Sequence, residues 1–204
     1  GNILSLVSRN IDALIINPTY GNNDYICELS HKLPVITVNR RIESDQFLGD
    51  LIDSDNKGGI YRLTKELISA GHRRIYFVGG SYPFSNARER YEGFKAAMHD
   101  IGVDTDSGYE YLYKGDFSES SGYDSILYMI GHYSVQPTAI ISANNTMCIG
   151  ILKALYAQGL QVPEQYSVAC FNGLENMELY RVQPTVADYS PSLFGQVAGR
   201  LALE

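Results

Sequence analysis

The sequence predicts an α/β fold built on doubly wound parallel sheets, and three observations lead to this prediction. Short apolar runs rich in β-branched residues alternate with segments of helical spacing almost throughout the 204 residues. Such runs are typical of parallel strands that are buried on both faces. Four of the runs end on an asparagine at or just past their last apolar residue, and no internal repeat or low-complexity tract interrupts the alternation. Strict alternation of strand and helix indicates right-handed crossovers between parallel strands.

The first part of the chain carries the weaker signals. The residues just after Gly1 suggest an apolar strand, and a second run follows before Asn17. The predicted strands of this part are 13–16, 35–38 and 51–52, and a short helix is predicted over 24–31. A polar, irregular stretch over 40–50 separates the last two strands.

The signals become clearer from Asn56 onward, where apolar residues recur at helical spacing until Gly71 takes the place of a C-terminal cap. Ser118 is the predicted N-cap of a later helix that runs to about residue 130. The other predicted helices cover 86–101, a segment that ends at Gly159, a short piece after residue 172, and a final helix from about residue 191. The predicted strands of this part are 75–78, 109–113, 139–141, 166–171 and 185–189.

Composition excludes several classes of function. The net charge of −7 and pI near 5.1 provide no basic face for nucleic acid phosphates. The three cysteines show neither a CxxC pair nor zinc-ligand spacing, which indicates a reducing, cytoplasmic setting without a disulfide framework. The sequence contains no signal peptide, no membrane-spanning apolar run, no phosphate-binding loop and no dinucleotide fingerprint. Since no catalytic order of Ser, His and Asp, paired carboxylates or metal spacing stands out, we expect no enzyme, no cofactor and no metal.

The asparagines at the strand ends are the first candidate site. They are Asn17, Asn39, Asn144 and Asn172. Ligands of open α/β sheets bind outside the carboxyl ends of the strands. Because an amide both donates and accepts hydrogen bonds, a ring of amides suits an uncharged, polyhydroxylated ligand. The alternative is that each asparagine simply starts a turn or caps a helix.

An ordered set of motifs spans nearly the whole chain. The motifs are Val35–Arg40, Asp55–Gly59, Ala70–Ile75, Phe77–Gly80, Arg88–Phe94, Gly115–Phe117 with Ser121–Tyr123, Asn144–Gly150, Gly159–Pro163, Ser167–Val168 and Phe171–Gly173. Together they resemble the effector-binding core of the lac repressor/galactose repressor family of bacterial transcription regulators. The resemblance implies two Rossmann-like subdomains with parallel sheets, of the type I periplasmic-binding-protein-like fold, with the ligand in the cleft. It implies an N-subdomain of residues 1–52 plus 187–204, incomplete at both ends, and a C-subdomain of 53–186.

The resemblance also implies site residues. Arg90 falls where the family has a ligand-contacting arginine, although it could be an ordinary surface arginine of a helix. Asn172 stands where most family members have an aspartate. An aspartate only accepts hydrogen bonds, whereas an asparagine both donates and accepts them. Asn144 matches a ligand contact and equally well caps its helix. Phe117 matches an aromatic that lies against the ligand ring, or else it is a core residue. The remaining candidates are Asn39, Asn86, Phe84 and, as the weakest, Asn17.

The resemblance implies a ligand-sensing domain that forms a homodimer and binds a small neutral polar effector, a sugar above all. The regulator would bind operator DNA only through a helix-turn-helix, which these residues lack. No membrane partner is expected. The rival is a periplasmic solute-binding protein of a transporter, because the same two-lobed fold serves both roles.

Overall fold

The structure is a computed structural model that describes residues 2–21 and 23–204. The chain forms two compact units. The smaller comprises Gly1–Ser54, Phe84–Asn86 and Ser190–Glu204, and the larger comprises Asp55–Pro83 and Ala87–Tyr189.

The smaller unit contains a three-stranded parallel sheet. Its strands are β1 (Leu14–Ile16), β2 (Val35–Val38) and β3 (Asp50–Ile52), in the order β1-β2-β3. Helix α2 (Asn23–Ser30) contributes Ile26, Cys27 and Leu29 to a buried cluster with Leu14 and Val35. Helix α7 (Pro191–Leu201) packs through Ala198 against Ile36 and Ile52. The sheet is therefore covered by α2 through one set of side chains and by α7 through another.

The apolar strand suggested just after Gly1 is wrong for the residues that the structure describes. Asn2–Val7 form helix α1 instead. Ile3 and Val7, four residues apart, lie on one face and pack against the cluster around Leu14. Because a helix places both side chains against this core, the short apolar run forms a helix instead of a strand. Gly1 itself lies outside the described residues.

The larger unit contains a five-stranded sheet in which every strand pairs in parallel. The strands are β4 (Ile75–Gly79), β5 (Leu112–Lys114), β6 (Ala139–Ser142), β7 (Ser167–Phe171) and β8 (Thr185–Ala187), in the order β5-β4-β6-β7-β8. All residues of β4 and β6 are buried. The two strands are neighbours, yet the chain leaves β4 toward β5 and β6 toward β7. This reversal of strand order creates a crevice at the carboxyl ends of β4 and β6, where α/β sheets bind ligands.

The helices of the larger unit are α3 (Asn56–Ser69), α4 (Ser85–His99), α5 (Glu119–His132) and α6 (Asn145–Ala157), with a single 3₁₀ turn at Met177–Leu179. The first two residues of α4 group with the smaller unit. Glycines allow close helix contacts: a Cβ on Gly150 would lie 2.0 Å from the Glu119 carbonyl oxygen, and one on Gly93 would lie 2.1 Å from that of Lys57. The backbones of α5 and α6, and of α3 and α4, thus approach more closely than any side chain would permit.

The predicted fold class, α/β with parallel sheets in two subdomains, is confirmed. The predicted strand over 109–113 begins later, at Leu112. The hydroxyl of Tyr109 accepts a hydrogen bond from the Ile75 N–H at 3.2 Å and donates to the Ile75 carbonyl at 3.0 Å. A side chain therefore satisfies the backbone groups that a longer strand would have paired, and β5 starts beyond it.

No helix in residues 2–21 and 23–204 is long and apolar enough to cross a membrane.

Candidate functional site

Arg90 lies on α4 and is buried, with 3% of its surface exposed. Its Nε donates to Oδ1 of Asn56 at 2.9 Å, and its Nη1 donates to the carbonyl of Ala143 at 2.6 Å. Asn56 in turn donates from Nδ2 to a Glu89 carboxylate oxygen at 3.0 Å. The guanidinium is therefore fixed between α3 and the carboxyl end of β6, and it is not the surface arginine of the alternative interpretation.

Two aromatic rings lie near this guanidinium. Its carbon is 3.9 Å from the centre of the Phe171 ring and 6.0 Å from that of the Phe117 ring. Phe171 ends β7, whereas Phe117 follows β5 with a φ of 72°. The Phe117 ring lies directly on Gly80, where a Cβ would come within 2.0 Å of it. Gly80, directly after β4, therefore makes room for an aromatic ring at the strand ends.

Asn144 caps α6. Its Oδ1 accepts from the Met147 N–H at 2.9 Å, and its Nδ2 donates to the carbonyl of Phe117 at 3.1 Å. The side chain thus fixes the loop that carries Phe117 while it caps the helix. Asn144 is therefore a helix cap, as the alternative interpretation predicted, and its ligand contact stays a prediction.

Asn172 follows β7 in the left-handed region, with a φ of 73°. Its N–H donates to the Ala187 carbonyl at 2.9 Å, which anchors the backbone to the end of β8. Its Oδ1 is buried and finds no hydrogen-bond partner within residues 2–21 and 23–204. A buried acceptor without a partner is uncommon and is typical of a site that receives a ligand or water.

The larger unit therefore brings together Arg90, Phe117, Asn144 and Asn172 at the carboxyl ends of its strands. Sequence reasoning missed Asn56 and Phe171, which hold and flank the arginine. The sequence predicts Asn56 as the start of a helix and Phe171 as the end of a strand. Both lie in motifs that carry the family resemblance, but the sequence predicts no site role for either.

The other four candidates belong to the smaller unit. Asn39 follows β2 with a φ of 64°, and its Oδ1 is buried without a partner in the described chain. Asn86, on the first turn of α4, is 6% exposed, and its Oδ1 also lacks a partner there. Asn17 is exposed after β1.

Phe84 packs beneath a residue that sequence reasoning did not single out. The Arg40 guanidinium carbon is 3.6 Å from the centre of the Phe84 ring, and its Nη1 donates to the Pro18 carbonyl at 3.0 Å. Burial lowers the pKa of Arg40 from its usual value. The signal that could have revealed Arg40 was its place beside Asn39 at the end of a buried strand.

Nothing in the described parts of the chain groups three or more histidine, cysteine or acidic side chains in a way that could hold a metal ion. The cysteines are buried and free, and burial raises the pKa of the Cys170 thiol. Such a thiol is a poor nucleophile. The arrangement can hold a small polar molecule beside the Phe117 ring.

Two curated proteins that are similar to this chain are transcriptional repressors. The HTH-type transcriptional repressor PurR of Actinobacillus pleuropneumoniae is 27% identical over 201 residues, which cover 98% of this chain and 58% of that protein. The ribose operon repressor of Escherichia coli is 28% identical over 206 residues, 100% of this chain and 59% of that repressor. The chain thus spans somewhat under 60% of the length of these curated relatives. Their similarity agrees with the prediction of a binding domain that is not an enzyme.

Two solved structures are also similar to this chain. A sugar-binding LacI-family regulator from Escherichia coli, complexed with phosphate, is 26% identical and superposes with a TM-score of 0.78 over 98% of this chain and 71% of that one. A LacI-family regulator from Enterococcus faecium with bound ribose has a TM-score of 0.87 at 24% identity, covers 99% and 74%, and shows the shared fold. The predicted resemblance to the lac repressor/galactose repressor family is confirmed. Residues 64–204 match the family described as periplasmic binding protein-like domain, and the chain belongs to that family.

Proposed function

We propose that this chain is the effector-sensing domain of a bacterial transcription regulator, a repressor, and that its effector is a small polar molecule of the sugar class. One observation carries the proposal: the buried acceptor of Asn172 lacks a partner in the described chain, one residue after the aromatic ring that supports Arg90. A ligand hydroxyl that donates to Oδ1 would satisfy this atom.

The surrounding groups support a sugar. Arg90 is held by Asn56 and Ala143 in one orientation, so binding would not have to immobilise it. The half-buried ring of Phe117 has a flat apolar face, which suits the C–H groups of a sugar ring, whereas Phe171 supports Arg90 from beneath. Ribose is bound in a solved structure of the same fold, and the two curated relatives named above are repressors, which favours a regulator over a transporter's solute-binding protein.

The regulator proposal includes DNA and a partner subunit. The net charge of −7 makes this domain a poor match for DNA phosphates, so a segment outside these 204 residues would bind the operator. We propose a cytoplasmic homodimer whose two DNA-binding segments respond to the effector. Such a switch requires that the effector bind one arrangement of the regulator more tightly than the other.

A thermal-shift screen of this chain tests the ligand class. The panel contains sugars, sugar phosphates, nucleosides and purines, because a ligand that binds only the folded state raises the melting temperature. We expect a sugar or sugar derivative to raise it, and we expect Asn172→Gly to abolish the rise. Glycine tolerates the left-handed backbone at this position, so that variant should stay folded.

A rise with purines alone would replace the proposed sugar by a purine. A rise that is unchanged in Asn172→Gly would remove the observation on which the proposal rests.

The regulatory half of the proposal needs the longer regulator. Its operator affinity, measured by fluorescence anisotropy, should change when the compound found in the screen is added. Equal operator affinity with and without every compound that binds the domain would contradict the allosteric role.

A further inference from the structure

Arg40 is a half-buried cation of the smaller unit whose chemistry the proposed function does not use. It lies on the segment that follows β2, beside Asn39. The N–H of Arg41 donates to Oγ of Ser85 at 2.9 Å, which ties this segment to the residues around Phe84. Two short stretches of chain, 39–41 and 84–86, therefore form one small surface, which we call the Arg40 surface.

The guanidinium of Arg40 is fixed on two sides. Phe84 supports its flat face at 3.6 Å, and the Pro18 carbonyl accepts from Nη1 at 3.0 Å. The other N–H groups of the guanidinium point outward in its plane, so the ring stacked on its face cannot accept hydrogen bonds from them. Nε is buried and has no hydrogen-bond partner anywhere in residues 2–21 and 23–204.

Arg40 also lacks a counter-ion. None of the salt bridges formed by the described residues involves it. Arg40 is half-buried. Withdrawing part of a cation from water without an opposite charge nearby is unfavourable, and charges withdrawn from water in proteins are normally paired. Burial lowers the pKa of Arg40, and no acidic group of the described chain raises it again. Since the described part of the chain supplies no anion to Arg40, an anion from outside would complete the site.

The geometry of the open donors narrows the kind of anion. Nε–H and the N–H of Nη2 leave the same edge of a guanidinium in parallel. This edge matches two oxygens of one carboxylate or one phosphate. A single hydroxyl could satisfy only one of the two donors and would leave the charge unbalanced.

The Arg40 surface also offers acceptors. Oδ1 of Asn39 and Oδ1 of Asn86 are both buried and without a partner in the described chain. An amide oxygen accepts from a hydroxyl, and an anionic oxygen has no hydrogen to give it. The surface thus combines one charged donor pair with two neutral acceptors.

We propose that the effector carries a carboxylate or phosphate group bound by Arg40 and a hydroxyl-bearing body that donates to Asn39 and Asn86, as in a sugar acid or a sugar phosphate. The proposal rests on the proposed function, a domain that binds a small effector of the sugar class. It changes the charge of the ligand from the neutral molecule that the asparagines alone predict.

Isothermal titration of the full chain tests the charge of the ligand with matched compounds. The panel is glucose, glucuronate and glucose 6-phosphate, together with ribose and ribose 5-phosphate. We expect at least one anion to bind about tenfold or more tightly than its neutral parent, as a charge-assisted hydrogen-bond pair would give. A preference for glucuronate identifies a carboxylate, and one for a sugar phosphate identifies a phosphate.

Variants connect the preference to Arg40. Arg40→Gln should reduce it to within about twofold, whereas Arg41→Gln, which removes the same charge one residue away, should retain it. Arg40→Lys keeps the charge and loses the paired donors, so it should lose most of the preference even if the glutamine variant is unstable. Circular dichroism checks that each variant is folded.

Each other result overturns the inference in a recognisable way. If the neutral parents bind as tightly as the anions, the effector is uncharged, and the proposed function still stands. If the preference survives in both Arg40 variants, another cation binds the anion. If no compound binds, neutral or charged, the proposed sugar class falls together with the inference.

Discussion

The guanidinium carbon of Arg90 lies 3.9 Å from the centre of the Phe171 ring, so the buried cation of the larger unit rests on the last residue of β7. Its hydrogen bonds to Asn56 and Ala143 lie in the guanidinium plane, where they do not compete with the ring. One side chain thereby links α3, α4 and the ends of β6 and β7. Any change at Arg90 should alter both the stability of this junction and the ligand site.

Arg90→Lys is expected to weaken effector binding about tenfold or more and to lower the free energy of unfolding by about 1–3 kcal/mol. A lysine ammonium cannot reach Asn56 and Ala143 in the planar geometry that the guanidinium uses. Titration with whichever compound raises the melting temperature measures the first effect, and urea unfolding measures the second.

Arg88→Lys is the matched control for Arg90→Lys. Arg88 is two residues away on α4 and donates to the loop carbonyls of Tyr82 and Pro83. We expect it to leave the affinity for the effector within about twofold, a difference smaller than one ordinary hydrogen bond would give. Equal losses in the two variants would mean that Arg90 has no particular role in the site.

Asn144→Ala is expected to lower the free energy of unfolding by about 1 kcal/mol, because α6 loses the side chain that caps it. Asn144→Ser restores a capping oxygen and lacks the donor to the Phe117 carbonyl. If Asn144 also contacts the effector or positions Phe117 against it, the serine variant should keep its stability and bind the effector more weakly. Urea unfolding and titration separate the two roles, and full affinity in the serine variant would leave Asn144 as a cap alone.

Gly150→Ala should destabilise the larger unit by about 1–3 kcal/mol or more. The added Cβ would lie 2.0 Å from the Glu119 carbonyl, and the backbone of α5 cannot move without disturbing its own helix. Gly131→Ala is the control, because a Cβ there meets nothing within 4 Å of it. That variant should gain about 0.5–1 kcal/mol from its lower flexibility when unfolded. Thermal unfolding that places both variants on the same side of the wild type would contradict the close contact of α5 and α6.

His72 predicts a pH dependence of stability. Its ring nitrogens lie 2.8 Å from Oγ1 of Thr138 and 2.9 Å from Oγ of Ser167, so it joins the segments that lead into β6 and β7. Burial lowers the pKa of His72 in the folded state below the usual histidine value of about 6.5. The unfolded chain then binds more protons than the folded one as the pH falls below about 6.5. The contribution of His72 to stability is therefore complete above this pH and decreases on acidification.

Urea unfolding at pH 7.5 and pH 5.5 (about one pH unit on either side of the histidine pKa) tests this assignment. His72→Gln should show a smaller loss of stability between the two conditions than the wild type. His99→Gln, a change at an exposed histidine, should show the same loss as the wild type. Identical pH dependence in all three proteins would show that His72 does not titrate differently on folding.

Much of the fold could be predicted from local chemistry. The β-branched runs of β4 and β6, the helical period between Asn56 and Gly71, and the caps at Ser118 and Gly159 depend on neighbours in the sequence. Failures occurred where a distant contact changes the local preference. The run after Gly1 is helical because Ile3 and Val7 pack on Leu14, and β5 is shortened because the Tyr109 hydroxyl takes the backbone groups of Ile75.

For the candidate site, the sequence by itself determined which side chains follow the strands. The amides and Arg90 could be named because parallel strands present their carboxyl ends at one edge of a sheet. Only the tertiary structure decided how those side chains are used: Asn144 caps a helix, Arg90 rests on Phe171, and Arg40 is held over Phe84 with a donor left open. Burial and hydrogen-bond partners depend on residues far apart in the chain, and no local pattern encodes them.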